Sequence, residues 1–345
     1  MKLSQMVCLP AILLMTLAAF GPAEAKTLAE KILANEFSTT KEQGVRDEIM
    51  AAVGDSLWNR RFDELEAMAA AFHARDARTP SGLWKLNYFY EGLRRFQKYM
   101  PRDPDRQIDG WLAAKPESAA AHIGYAVMTL EQAWEIRGTG YASTVEPENW
   151  KPFHDAVERA GQHLMEYKAI ADGDPHWYDA MLEVATLQSW DDAAFDALLH
   201  EGLDKEPLYY DLYFHATNRN LPKWGGSAEK VEVLARDALT RTRATEGSAL
   251  YARIYWSADG GHYRGRLFKD SAVDWEEMRA GVDDVLARYP DQWNINNFAR
   301  FACLAQDADK TYELIARIAG EPDPAVWGYG SLFERCKSWS TPTGG

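Results

Sequence analysis

Prolines punctuate the second half of the chain at a fixed interval. Asp174-Pro175 opens a stretch that closes at Glu206-Pro207, and Tyr289-Pro290 opens another that closes at Glu321-Pro322. From Pro175 to Pro207 and from Pro290 to Pro322 the interval is 32 residues, close to the length of one tetratricopeptide-like helix–turn–helix unit. Proline fits the first turn of a helix and disrupts its interior, so each one marks where a helix pair begins. Such pairs bury their apolar faces only by stacking on neighbours. The expectation is therefore an all-α, tetratricopeptide-like superhelix, an α-solenoid of about ten to fourteen helices, spanning residues 26–328.

The rest of the chain reads the same way. Val45, Ile49 and Val53 recur every four residues, and Phe62, Leu65, Ala69 and Phe72 follow the helical period after a turn at Asn59-Arg60-Arg61. Leu86, Phe89, Tyr90, Leu93 and Phe96 share a face, Pro101 and Pro104 end that helix, and Ile123, Val127, Leu130 and Trp134 stripe the next. Ser227 reads as an N-cap. No stretch alternates with period two, so strand content should be close to nil. A closed helical toroid, as in several glycan-degrading enzymes, carries the same helix-pair signature, and both architectures stay open here.

Residues 1–25 read as a Sec-type signal: Lys2, an apolar run from Val7 to Phe20, then Ala23-Glu24-Ala25 as the small-residue cleavage pattern. The run is too short to span a bilayer and contains Pro10. The expected product begins at Lys26, is periplasmic or secreted, and does not insert in a membrane. A net charge of −14 leaves no basic surplus to displace counterions from phosphates, which argues against nucleic acid. Cleavage removes Cys8 and leaves Cys303 and Cys336. In an oxidising compartment they pair and tie the tail, 329–345, to the last helix pair; two buried free thiols are the alternative.

Four segments carry a resemblance: Trp134-Glu-Ile-Arg137-Gly-Thr-Gly-Tyr141, Pro222-Lys-Trp-Gly-Gly-Ser227, Glu246-Gly-Ser-Ala-Leu-Tyr-Ala-Arg-Ile-Tyr-Trp256 and Asn297-Phe-Ala-Arg-Phe-Ala-Cys303. Together they resemble an uncharacterised bacterial family, domain of unknown function 4034, over roughly Leu57 to Trp339. The resemblance implies a helical-repeat fold and brings no activity, cofactor or catalytic residue with it.

Motifs with a defined chemistry are missing. Gly138-Thr139-Gly140 follows a helix and lacks the Gly-Lys-Ser/Thr of a phosphate loop, so Gly138 reads as a helix C-cap. None of the eight histidines pair at i, i+4, no His-Glu-x-x-His occurs, and no Gly-x-Ser-x-Gly elbow exists. No metal or other cofactor is expected. Asp191-Asp192, Glu276-Glu277 and Asp283-Asp284 are the carboxylate pairs from which a glycan-acting hydrolase would draw its acid and base. Placed in first turns or on helix faces, they read equally as solvated or dipole-facing groups.

The remaining candidates are aromatic and basic. Three irregular loops, Arg137 to Val145, Leu221 to Gly226 and Asp259 to Leu267, carry glycine beside an aromatic or basic residue. A solenoid turns such insertions out along one edge, where they wall a groove lined by first helices. The expected contact residues are Arg137, Tyr141, Trp224, Tyr251, Arg253, Asn294 and Asn297. The function that follows is a binding or scaffold module for a protein or peptide partner in the cell envelope, with a glycan-acting hydrolase as the alternative; the competing reading of the rings is core packing.

Overall fold

The computed structural model describes residues 25–100, 104–138 and 140–342, so most of the expected signal, Pro101 and Thr139 lie outside the described residues. Among the described residues the chain forms nineteen α-helices and no strand. The first half holds α1 (Leu28–Leu33), α2 (Glu42–Trp58), α3 (Phe62–Phe72), α4 (Lys85–Tyr99), α5 (Pro104–Ala114), α6 (Ala119–Arg137), α7 (Pro147–Glu166) and the single turn α8 (Lys168–Ala171). Then come α9 (Pro175–Leu187), α10 (Asp192–Lys205), α11 (Tyr210–Asn220), α12 (Ala228–Glu246), α13 (Ala249–Ala258) and a second single turn, α14 (Leu267–Asp270). The chain ends with α15 (Trp275–Arg288), α16 (Gln292–Leu304), α17 (Ala308–Ala316), α18 (Pro324–Trp327) and α19 (Leu332–Ser340).

Nineteen exceeds the expected ten to fourteen for local reasons. Connections at 168–171, 267–270 and 324–327 wind into single turns. Pro104 opens α5 instead of ending α4, as proline in a first turn can. The tail beyond Gly328 contains α19, and the Cys303–Cys336 disulfide (Cα–Cα 5.7 Å) fastens that helix to α16.

Helix starts follow side-chain chemistry. Asp174, Asp191, Ser227, Asp274, Asp291 and Asp307 each accept backbone N–H bonds in the first turns of α9, α10, α12, α15, α16 and α17. Apolar faces then sort the helices into two layers. An inner series runs α2, α4, α6, α9, α11, α13, each packed on the next, and the Trp256–Trp293 ring contact extends it to α16. The second layer, α3, α5, α7, α10, α12, α15 and α17, packs on the helices of that series.

The inner series curls back on itself. The Arg46 guanidinium on α2 lies 5.7 Å from the Trp293 ring on α16. The connection between α3 and α4 crosses the starts of the later inner helices. His73 meets the Gly173 carbonyl at 3.1 Å, Arg75 pairs with Glu206 at 2.8 Å, and the Trp84 indole donates to the Leu208 carbonyl at 2.6 Å. Further on, Arg253 and Asn294 both donate to the Ser81 carbonyl, at 2.6 and 3.1 Å. Gly82 sits at φ +90, and a Cβ there would come within 2.5 Å of the Tyr289 ring. Only glycine fits that combination of backbone and close approach.

Candidate functional site: a loop-edge groove and a charged interior

Two of the three loops share one groove. Arg137 and Ala142 from the first, and Trp224, Gly225 and Gly226 from the second, line a cavity of about 410 Å³ with Trp150, Trp190, Arg219 and Lys230. Each side chain is held by its neighbours. Arg137 stacks over Trp134 and Trp150 at 5.2 and 5.6 Å and donates to the Gly138 and Gly140 carbonyls. Arg219 donates to the Trp190 carbonyl at 2.6 Å and to Asp192 at 3.3 Å, while Lys230 reaches the same carboxylate at 2.7 Å. Those contacts, the Lys230 hydrogen bond first, hold the Asp192 carboxyl below its ordinary range. Gly226 approaches Asn220 so closely that a Cβ would meet its carbonyl oxygen at 2.0 Å, which forces glycine there. Three cations, Arg137, Arg219 and Lys230, face one carboxylate, Asp192, in this groove. Tyr141 points to solvent beside it, 82% exposed.

The third loop does not line the groove. Asp259–Tyr263 is a π-helical turn continuing α13, pinned by Asp259, which pairs with Arg300 at 3.2 Å and accepts from the Gly265 amide. It abuts the second loop, since a Cβ on Gly261 would touch Leu221.

Four expected contact residues are inside the protein. Tyr251 is fully buried, its hydroxyl donating to Glu232 and accepting from the Asp274 amide. Arg253 and Asn294 close the curl through Ser81, and Asn297 bonds back to the Trp293 carbonyl within its own helix. Their burial corrects the expectation that they face a partner in the loop groove. The α3–α4 connection occupies the place where an open concave surface was expected, an occupant that no local pattern announces.

Five of the six carboxylates singled out by adjacency are held in structural contacts. Asp191 caps α10 while Asp192 pairs with Arg219 and Lys230. Glu277 binds Arg236, Arg243 and the Ser248 hydroxyl. Asp283 pairs with Lys310, and Asp284 accepts the Ser248 amide.

A different set of charged groups faces inward from α4, α9 and α11. Asp179 lies 3.4 Å from the His215 imidazole and 3.8 Å from that of His176, whose Nδ1 shares a hydrogen bond with the Tyr209 hydroxyl at 2.8 Å. Glu183 receives Arg94 and, at 2.7 Å, the Trp134 indole N–H; Arg94 also lies 3.5 Å from Glu91. Solvent reaches this recess, for Glu91 exposes 44% of its side chain. Burial, then the charges of Asp179 and Glu91, push the Asp211 carboxyl well above its ordinary range. Burial acts on Asp179 in the same direction, but the His215 hydrogen bond and the charges of His176, His215 and Arg94 outweigh it and hold that carboxyl low. Two neighbouring carboxyls are thus pushed in opposite directions from the ordinary carboxylate range.

Adjacency along the chain misses this cluster because its members come from different helices. One signal existed: Asp179/Glu183 and Asp211/His215 are polar i, i+4 pairs on otherwise apolar inner helices, and Glu91/Arg94 stand three apart. A second interior pair, His122 and His163 at 3.0 Å, joins α6 to α7 and is invisible to a spacing rule applied to one helix. Among the described residues, no group of three or more His, Cys, Asp or Glu is arranged to hold a metal, and no helix is long and apolar enough to cross a membrane. No family model, curated protein or solved structure matches the chain.

Proposed function

We propose that this chain is an exported helical-repeat binding protein whose loop-edge groove holds an acidic, aromatic-bearing segment of a protein partner in the cell envelope. In this reading its two layers are a curled tetratricopeptide-like array, in keeping with the resemblance to domain of unknown function 4034, and the mature chain starts at Lys26. One observation carries the reading: three indoles and a surplus of two positive charges converge on a single groove in a chain of net charge −14. Indoles are the anchors that binding sites favour, and a local field opposite to the protein's own sets register and selects against basic partners.

The test is fluorescence anisotropy with labelled peptides in which tryptophan is flanked by glutamates or, as a control, by lysines. The glutamate peptide should bind, weaken with salt, and lose roughly tenfold in affinity with Lys230→Glu. Equal binding of both peptides, or of neither, sinks the reading.

A second reading, hydrolysis of an envelope glycan, is supported by Asp211 held above and Asp179 held below the ordinary carboxylate range, the directions a general acid beside a base requires. Incubation with peptidoglycan sacculi should then release reducing ends, and both Asp211→Asn and Asp179→Asn should abolish the release. No release by the wild-type protein removes this reading.

A further inference from the structure

From a separate cavity, where the first and last inner helices meet, we infer a second binding site for a small aromatic monocarboxylate. Arg46 of α2, Phe214 of α11, Arg253 and Trp256 of α13 and Trp293 of α16 enclose about 200 Å³, with Ser257 in the wall. Three observations point to a ligand there.

Arg253 is a buried cation without an ion-pair partner among the described residues. It is 4% exposed, and it makes one hydrogen bond, to the Ser81 carbonyl. Its Nε has no partner, and among the described residues no carboxylate forms an ion pair with it. Tyr210 and Tyr289 present their rings at 5.4 and 5.9 Å. Burying a charge without a counter-charge is strongly unfavourable. The carboxylate that feels the Arg253 charge, Asp291, forms no ion pair with it and accepts the Trp293 and Asn294 amides instead.

Two neighbours define the rest of the ligand. Arg46 is held at the wall by Glu42 at 2.5 Å and by stacking over Tyr88 at 4.9 Å, which places a second guanidinium beside the cavity. Trp256 and Trp293 lie 6.3 Å apart at a tilt of 30°. A ring slipped between two others needs roughly 7 Å, so the indoles act as one continuous surface for a ring to lie against. The volume is below the roughly 300 Å³ at which pockets for drug-sized ligands begin, which fits one ring with a short acid arm. A phosphate would leave the aromatic walls unused. The carboxylate would bond Arg253 and the ring would cover the indoles, bolting α2 to α13 and α16.

The same chemistry is presented by a free small acid and by a chain ending in phenylalanine, and the experiment separates them. Calorimetry and thermal melting of the mature protein are run with phenylacetate, with phenylacetamide, and with a short peptide ending in phenylalanine as free acid. Phenylacetate should bind and raise the melting temperature, while the uncharged amide binds at least roughly tenfold more weakly. Tighter binding of the peptide than of phenylacetate assigns the site to a chain terminus; the reverse assigns it to a free acid. Arg253→Gln should abolish binding. Because that residue also closes the fold, Ser257→Phe, which fills the cavity from a half-buried position, serves as second variant and should abolish binding while keeping the wild-type circular-dichroism spectrum. Phenylacetate and the amide binding alike, none of the three probes binding, or a folded Ser257→Phe that still binds phenylacetate overturns the proposal.

Discussion

Arg253 on α13 donates to the carbonyl of Ser81, 172 residues earlier in the chain, across 2.6 Å. Asn294 on α16 donates to the same oxygen, and Glu42 on α2 accepts the Ser81 amide at 2.7 Å. Ser81, a single residue of the α3–α4 connection, thus receives both ends of the inner helix series. Stacked pairs need only their neighbours, so contacts of this range are foreign to a purely local array. The curl therefore depends on a few residues far apart in sequence.

Gly82→Ala tests that dependence. The substitution forces a side chain into φ +90 and pushes a methyl against Tyr289 at 2.5 Å. The left-handed backbone costs about 1–2 kcal/mol and the steric conflict a further 1–3 kcal/mol. Urea unfolding should show a loss of roughly 2–5 kcal/mol with unchanged helix content. A loss under about 0.5 kcal/mol, the ordinary range for a surface change, removes the claim that this connection closes the fold.

Reduction of the Cys303–Cys336 bridge frees α19 from α16 across a separation of 33 residues. Loop entropy puts the loss at about 3–4 kcal/mol, less any native strain. The Cys303→Ala, Cys336→Ala double variant should lose that stability, and thiol labelling of protein purified without reductant should find neither cysteine free. Free thiols, or a variant as stable as the wild type, contradict the assignment.

What the sequence makes legible follows from how far each signal reaches. Pro175, Asp174, Ser227 and Gly138 act within one turn, and the helix boundaries they imply are found. Arg137 and Trp224 line one groove together with Trp190 of the α9–α10 turn, so connections of three helix pairs meet there, which no single local signal specifies. Tyr251 and Arg253 look the same in sequence whether they face a ligand or a neighbouring helix; Glu232 and Asp274 enclose the first and Ser81 of the α3–α4 connection meets the second. Asp179, Asp211 and His215 meet only once α9 and α11 pack, so no linear motif contains them.

Acidification should destabilise the protein through two imidazoles. Burial lowers His176 to about 4; burial and the charge of His122 lower His163 to about 4. With a folded value below the unfolded 6.5, the unfolded chain binds more protons between pH 4 and 6.5, so stability is present above that window and is lost as pH falls through it. For fully buried His176 the loss is roughly 3 kcal/mol; half-buried His163 contributes less because solvent screens it. Asp211 and Glu91 move the other way, so the quantity to measure is the difference between wild type and a His163→Asn, His176→Gln double variant in urea at pH 7 and 4.5. Parallel pH profiles for the two proteins would show that neither imidazole is buried uncharged.

Asp211→Asn isolates the opposite effect. The Asp211 carboxyl is held well above the usual carboxylate range by burial and by the nearby charges of Asp179 and Glu91. A folded value raised above the unfolded 3.8 means that the folded state retains a proton that the unfolded chain releases, so this group withdraws stability as pH rises. Asparagine has nearly the shape of the protonated acid and does not titrate. Its advantage over wild type should be small near pH 4 and grow towards pH 8, read from urea midpoints at each pH. If the difference stays flat, or if the variant loses ground as pH rises, Asp211 is ionised in the folded protein. The general-acid role assigned to it in the hydrolase reading then fails as well, whereas the loop-edge groove, built from other residues, is untouched by that result.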